Sequence, residues 1–137
     1  MVCELCLIIN ENYRLLFKDE FVYAVIVREP LKEGHIMVLP RRHVQSLADL
    51  SEQESKALLV LFDNLQNVVK NVYNQDSLLV KNNGELMTEG HIHFHIIPSK
   101  TCVRGLFALY EKIPFRELKS EQELEKMKNE IVSHMSQ

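Results

Sequence analysis

The sequence predicts an α+β fold: an antiparallel sheet of about five strands, one long helix and a C-terminal helix. Three observations carry this. Short apolar runs bounded by Gly, Pro, Asn or charged residues recur on both sides of one helical stretch. Within that stretch, Leu58, Leu61, Phe62, Leu65, Val68, Val69 and Val72 repeat at helical spacing, one broad apolar face on a helix from about Glu52 to Asn74. Finally, His91-Ile92-His93-Phe94-His95-Ile96-Ile97-Pro98 alternates with a period of two. In a strand that period places the three imidazoles on one face, roughly 7 Å apart, and Ile92, Phe94 and Ile96 on the other.

The chain has 137 residues, enough for a single domain spanning 1–137 with a real hydrophobic core and no need of covalent staples. A net charge of −3 with mixed signs gives no basic field of the kind that attracts nucleic acid. No apolar run approaches the ~20 residues of a membrane-spanning helix. Glu4 near the start and the lack of a basic flank do not read as a signal peptide. Three cysteines, an odd number, argue against a disulfide framework. The expectation is a cytoplasmic protein, with a nuclear location also compatible.

Taken in order, Arg14–Lys18 and Val22–Val27 are apolar runs parted by Asp19-Glu20 and read as a hairpin. Pro30 to Gly34 marks a loop. His35–Leu39 is a third strand, closed by Pro40 and followed by Arg41-Arg42-His43. Ser51-Glu52-Gln53-Glu54 is a capping box that starts the long helix. Ser77–Lys81 is a fourth strand, and Asn82-Asn83-Gly84 a turn before the histidine strand. The fourth and histidine strands are expected to be antiparallel neighbours, with the loop between them hanging over one end of the histidine face. Lys100–Lys119 reads weakly, with an edge strand expected around Leu106–Tyr110. A second capping box, Ser120 to Glu123, opens a C-terminal helix of about 120–135 through Leu124, Met127, Ile131 and Met135.

Two chemistries suit these residues. Cys3-Glu4-Leu5-Cys6 supplies half of a Cys₂His₂ zinc site, with His35, His43, His91, His93 and His95 as candidates for the rest; spacing alone does not choose among them. A neutral imidazole is also a competent nucleophile at phosphorus, and a second, protonated one could hold a phosphate oxygen. Backbone amides and the Asn82 side chain could serve as further donors to developing charge. Cys102 reads as an ordinary small buried residue and His134 as a solvated residue near a helix C-terminus.

His91 to Ile97 resembles the histidine triad (HIT) motif, His-φ-His-φ-His-φ-φ with φ hydrophobic. Gly34 to Val44 resembles that family's Gly-His-x-Leu-Val-Ile-Pro-Lys-x-His block, and Asn82-Asn83-Gly84 its Asn-x-Gly turn. Cys3 to Ile9 resembles the N-terminus of its zinc-containing branch. The resemblance implies a HIT-like fold and a hydrolase or transferase acting at the α-phosphate of a nucleoside, on dinucleoside polyphosphates or nucleoside phosphoramidates. It makes His93 the nucleophile that forms a covalent nucleotidyl-imidazole and His95 a ligand of phosphate oxygen. Asn82, Gly84, Thr88 and His35 would complete the substrate site. It implies one structural zinc on Cys3, Cys6, His43 and His91, and a homodimer.

Two positions depart from the family. Met87 stands where a glutamine commonly contacts the phosphate or leaving group, and Thr88 beside it could offer a hydroxyl instead. Lost acid assistance typically costs about 10²- to 10⁴-fold. Val27 stands where many members carry an aspartate for the ribose hydroxyls, and valine accepts no hydrogen bond. These departures support an alternative, a zinc-stabilised nucleotide-binding or adaptor protein with weak or no catalysis.

Overall fold

Alternating burial along the strands explains the architecture. In the computed structural model, which describes residues 2–81, 90–113 and 116–135, the strands are β1 (Leu15–Lys18), β2 (Val22–Ile26), β3 (Ile36–Pro40), β4 (Asp76–Val80) and β5 (Phe94–Ser99). They form one antiparallel sheet in the order β1-β2-β3-β5-β4. The hairpin, the third strand and the pairing of β4 with β5 follow the sequence expectations within a residue or two. β1 is an edge, and its register slips between Leu15 and Phe17, a local irregularity of the kind sheet edges tolerate.

β2 and β3 are buried on both sides, so the sheet separates two apolar layers. One face carries Val22, Ala24, Ile36, Val38, Ile92, Phe94 and Ile96, covered by Leu58, Leu61, Phe62, Leu65 and Val69. Those five residues belong to α2 (Glu52–Tyr73). The opposite face carries Tyr23, Val25, Met37 and Leu39, covered by Leu5 and Ile8. Leu5 lies on α1 (Glu4–Leu7), a single helical turn, and Ile8 opens the tighter turn that follows.

The helix starts as its capping box predicts: the Ser51 hydroxyl accepts from the Glu54 amide and the Glu54 carboxylate accepts from the Ser51 amide. Glu54 does more. Its carboxylate takes two hydrogen bonds from Arg42, at 2.8 and 3.3 Å, which ties the helix start to the segment after β3. At the other end of β3, Gly34 has φ +85°, and a Cβ there would lie 2.4 Å from the Tyr73 ring. Only glycine fits both the left-handed backbone and the ring.

The expected histidine strand needs correction at its start, because the ladder begins at Phe94. His91, Ile92 and His93 precede it, and the Ile92 amide bonds the Val44 carbonyl instead. The expected edge strand at Leu106–Tyr110 is also overturned: Val103–Tyr110 is a helix, α3. Val103, Leu106, Phe107 and Tyr110 stand at i, i+3, i+4 and i+7, a helical pattern that the short apolar run conceals.

The chain divides into two compact units, one ending at Cys102 and one beginning at Val103. Cys102, expected to be buried, is exposed at the end of the first unit. The second holds α3 and α4 (Glu121–Ser133), the latter with its own complete capping box at Ser120 and Glu123. No described side chain of this unit is buried.

Candidate functional site

The face of the sheet opposite α2 gathers the histidines. β3 and β5 pair Met37 with His95, and paired residues share a face, so His95 and its neighbours lie on the side that carries Leu5 and Ile8. Two clusters form there. His35, His93 and His95 make one; His43 and His91 make the other, with Cys3 and Cys6.

In the first cluster the hydrogen bonds dictate the tautomers. The His93 Nδ1 lies 2.9 Å from the His91 carbonyl oxygen. A carbonyl only accepts, so Nδ1 carries the proton and Nε2 keeps its lone pair. The Leu31 amide donates to His35 Nδ1 at 3.2 Å, so His35 holds its proton on Nε2. That nitrogen is 2.8 Å from His95 Nδ1, which accepts and thereby leaves His95 with an Nε2–H donor. The array therefore presents one nucleophilic nitrogen, on His93, beside one neutral N–H donor, on His95.

Burial holds His95 neutral: desolvation, then the neighbouring His35 and His93, push its pKa down to about 4. Burial likewise lowers His35. The expected protonated partner for phosphate is thus replaced by a neutral imidazole that donates. The rings of His93 and His95 stand edge to face with centroids 5.1 Å apart, closer than the strand spacing suggests. The reason is that His93 lies outside the ladder and is turned by its bond to the His91 carbonyl.

In the second cluster, His91 is fully buried and its Nε2 donates to the Pro40 carbonyl at 2.8 Å, which turns its Nδ1 lone pair outward. That nitrogen is 3.3 Å from the Cys6 sulfur and 3.7 Å from the Cys3 sulfur; His43 Nδ1 is 3.5 Å from Cys6. All four ligand atoms lie within 4.8 Å of one another. A tetrahedral zinc with ordinary bond lengths requires sulfur–nitrogen edges of about 3.5 Å, so the donor set fits that ion. A carbonyl-anchored imidazole and two sulfurs are also the usual company of zinc.

Several supporting groups were not legible in the sequence. Tyr23 is buried and its hydroxyl donates to the Leu5 carbonyl, between the two cysteines. Burial pushes its pKa well up, so it stays a donor. Arg42 binds Glu54 and the Asp49 carbonyl, at 2.6 Å for the latter, and so fixes the backbone next to His43. The Arg42 hydrogen bonds also hold the Glu54 carboxyl below the usual carboxylate range. No spacing rule would have paired these residues.

Asn82, Gly84, Met87 and Thr88, expected at the substrate, lie outside the described residues. Val27 is half-buried and packs against the Leu5–Ile8 layer, while the next residue, Arg28, is exposed.

A cavity of about 460 Å³ opens on the same face, lined by Met37 from β3, by Leu5 and Ile8, and by charged residues. A larger groove of about 550 Å³ lies on the other face, between β1 and α2, away from the histidines. Among the described residues no helix is long and apolar enough to cross a membrane.

Residues 10–102 match the family model described as HIT domain. The chain is 31% identical over 124 residues to a bis(5′-adenosyl)-triphosphatase of Dictyostelium discoideum, covering 85% of this chain and 82% of that protein. It is 26% identical over 137 residues to an adenosine 5′-monophosphoramidase of Schizosaccharomyces pombe, covering 97% and 98%. Among solved structures it resembles a zinc-bound histidine triad family protein from Mycobacterium smegmatis, with a TM-score of 0.64 at 20% identity over 90% of this chain and 87% of that one.

Proposed function

This chain belongs to the HIT domain family, and from that membership and the site geometry we propose that it is a nucleotide hydrolase or transferase acting at the α-phosphate through His93. The observation that carries this reading is the fixed His93 tautomer: its Nδ1–H is spent on the His91 carbonyl and its Nε2 lone pair is free. In the first step Nε2 forms a bond to phosphorus and the bond to the leaving group breaks; that group departs with its electron pair and takes up a proton. The ring becomes a cation, which the His91 carbonyl stabilises through Nδ1–H. Water, or another acceptor, then attacks the phosphorus and loses a proton. The phosphorus–nitrogen bond breaks, and nucleoside monophosphate leaves.

The His95 Nε2–H would donate to a phosphate oxygen. A preorganised donor of this kind is typically worth about 10²- to 10³-fold in rate. The relatives named as a triphosphatase and a phosphoramidase support dinucleoside polyphosphates and nucleoside phosphoramidates as the substrate classes.

Cys3, Cys6, His43 and His91 would hold one structural zinc. The ion would supply a cross-link between the N-terminal turn, the end of β3 and the segment carrying His93. The zinc-bound neighbour and the four-atom geometry support this.

The test is single-turnover assay with a nucleoside phosphoramidate and a dinucleoside polyphosphate. The wild type should release nucleoside monophosphate, and His93→Ala should lose at least about 10³-fold while melting within a few degrees of it. Undiminished release by that variant would sink the mechanism. Nucleotide binding without product from either substrate would favour the adaptor reading.

A further inference from the structure

The cavity beside the histidines has an uncommon wall. Its floor is apolar, from Leu5 and Met37, and suits the face of a flat heterocycle. Met37 is the register partner of His95, so the cavity adjoins the phosphate end of the site on one sheet face. At about 460 Å³ it has the size of a small-molecule pocket and can admit a nucleoside.

The rim carries Glu4, Glu11, Arg14 and Arg28. Two of these are occupied: Arg14 is clamped by the Glu11 carboxylate at 2.7 Å and by the Ile26 carbonyl at 2.9 Å. Glu4 and Arg28 have no ion pair or side-chain hydrogen bond among the described residues. The cavity therefore offers a seated heterocycle one open carboxylate, which only accepts, and one open guanidinium, which only donates.

We infer that this cavity selects guanine over adenine, with Glu4 and Arg28 as the specificity-determining residues. Guanine presents donors at N1 and the 2-amino group and acceptors at O6 and N7. A carboxylate matches the first pair and a guanidinium matches the second bidentately. Adenine reverses both contacts near its six-position: N1 is a bare lone pair, and an amino group replaces O6. A carboxylate facing adenine N1 meets repulsion, and a guanidinium placed for O6 and N7 keeps only N7 and meets a donor in place of O6, so the site rejects as well as selects. Both residues are exposed, which keeps the expected discrimination to about tenfold, the low end for paired base-edge contacts.

This inference rests on the nucleotide reading of the histidine site, and one experiment separates the two. The guanosine and adenosine 5′-phosphoramidates of the same amine are compared by kcat/KM, and GMP and AMP by calorimetric titration, on the full chain. The wild type should favour guanosine about tenfold in both measurements. Arg28→Ala and Glu4→Gln should each bring the ratio towards one. A ratio is unaffected by loss of folded protein, so partial misfolding does not mimic the result. Equal use of both bases by the wild type, or a ratio retained in both variants, overturns the inference and leaves the nucleotide reading standing. A guanine preference in binding without turnover supports the inference and removes the catalytic reading. Failure to bind or turn over either nucleotide overturns both.

Discussion

His35 and His95 show how one backbone amide can set the chemistry of a side chain two residues away in contact. The Leu31 amide fixes the proton of His35, and His35 fixes that of His95. The consequence is measurable as pH dependence. His95 titrates near 6.5 in an unfolded chain but at about 4 in the fold, because burial and the facing His35 and His93 disfavour its charge. Below pH 6.5 the unfolded state thus binds more protons than the folded one, and stability falls as pH falls. Between about 6.5 and 4 the loss for this group is at most about 1.4 kcal/mol per pH unit, and less to the extent that water still reaches the ring. His35, lowered by burial, adds in the same direction. Chemical denaturation from pH 7.5 to 4.5 should show this slope, and His95→Gln should flatten it. An equally steep profile in the variant would show that other groups are responsible.

At the level of elements, α2 is held by more than its apolar stripe. Glu54 serves the capping box and the Arg42 pair with one nearly buried carboxylate. Glu54→Ala should cost about 2–4 kcal/mol, from the lost cap and from the Ser51 amide and Arg42 donors left without their acceptor. Urea titration should show a lower midpoint at unchanged slope. A loss under ~1 kcal/mol would mean that Arg42 and Ser51 find other partners.

The same element shows what a sequence can reveal. Both capping boxes are local patterns and formed as read. Of the helical stripe, Leu58, Leu61, Phe62, Leu65 and Val69 are buried, whereas Val68 and Val72, read on the same face, are exposed. The Arg42–Glu54 pair spans the connection between β3 and α2 and has no local signature. Likewise the strand starts late, at Phe94, because the Ile92 amide before it bonds the Val44 carbonyl and not a ladder partner. The α3 segment differs from its expected strand because a strand and a short piece of helix look alike over five apolar residues. In the site, the alternation of the triad was legible and its tautomers were not. Those depend on Leu31, Pro40 and the His91 carbonyl, which only folding brings into range.

Across the whole molecule, the question is how far the fold would depend on the proposed zinc. The four residues proposed to hold it come from distant parts of the first unit: Cys3 and Cys6 at the N-terminal turn, His43 after β3 and His91 before β5. Small domains that fold only around zinc draw about 10–16 kcal/mol from it, having little core of their own. Here the layer between α2 and the sheet contains no ligand, and it holds the larger apolar cluster. The N-terminal turn is itself anchored a second time, by Leu5 and Ile8 in the other layer and by the Tyr23 hydroxyl on the Leu5 carbonyl. Removing the ion should therefore weaken the fold without abolishing it. The protein as purified should contain about one zinc per chain, and a strong chelator should lower the thermal midpoint by tens of degrees while leaving a single cooperative transition. Cys6→Ser should melt at the lower temperature with or without chelator. Complete unfolding on chelation would place the core under the control of the metal, and an unchanged midpoint in metal-free protein would remove these four residues as its ligands.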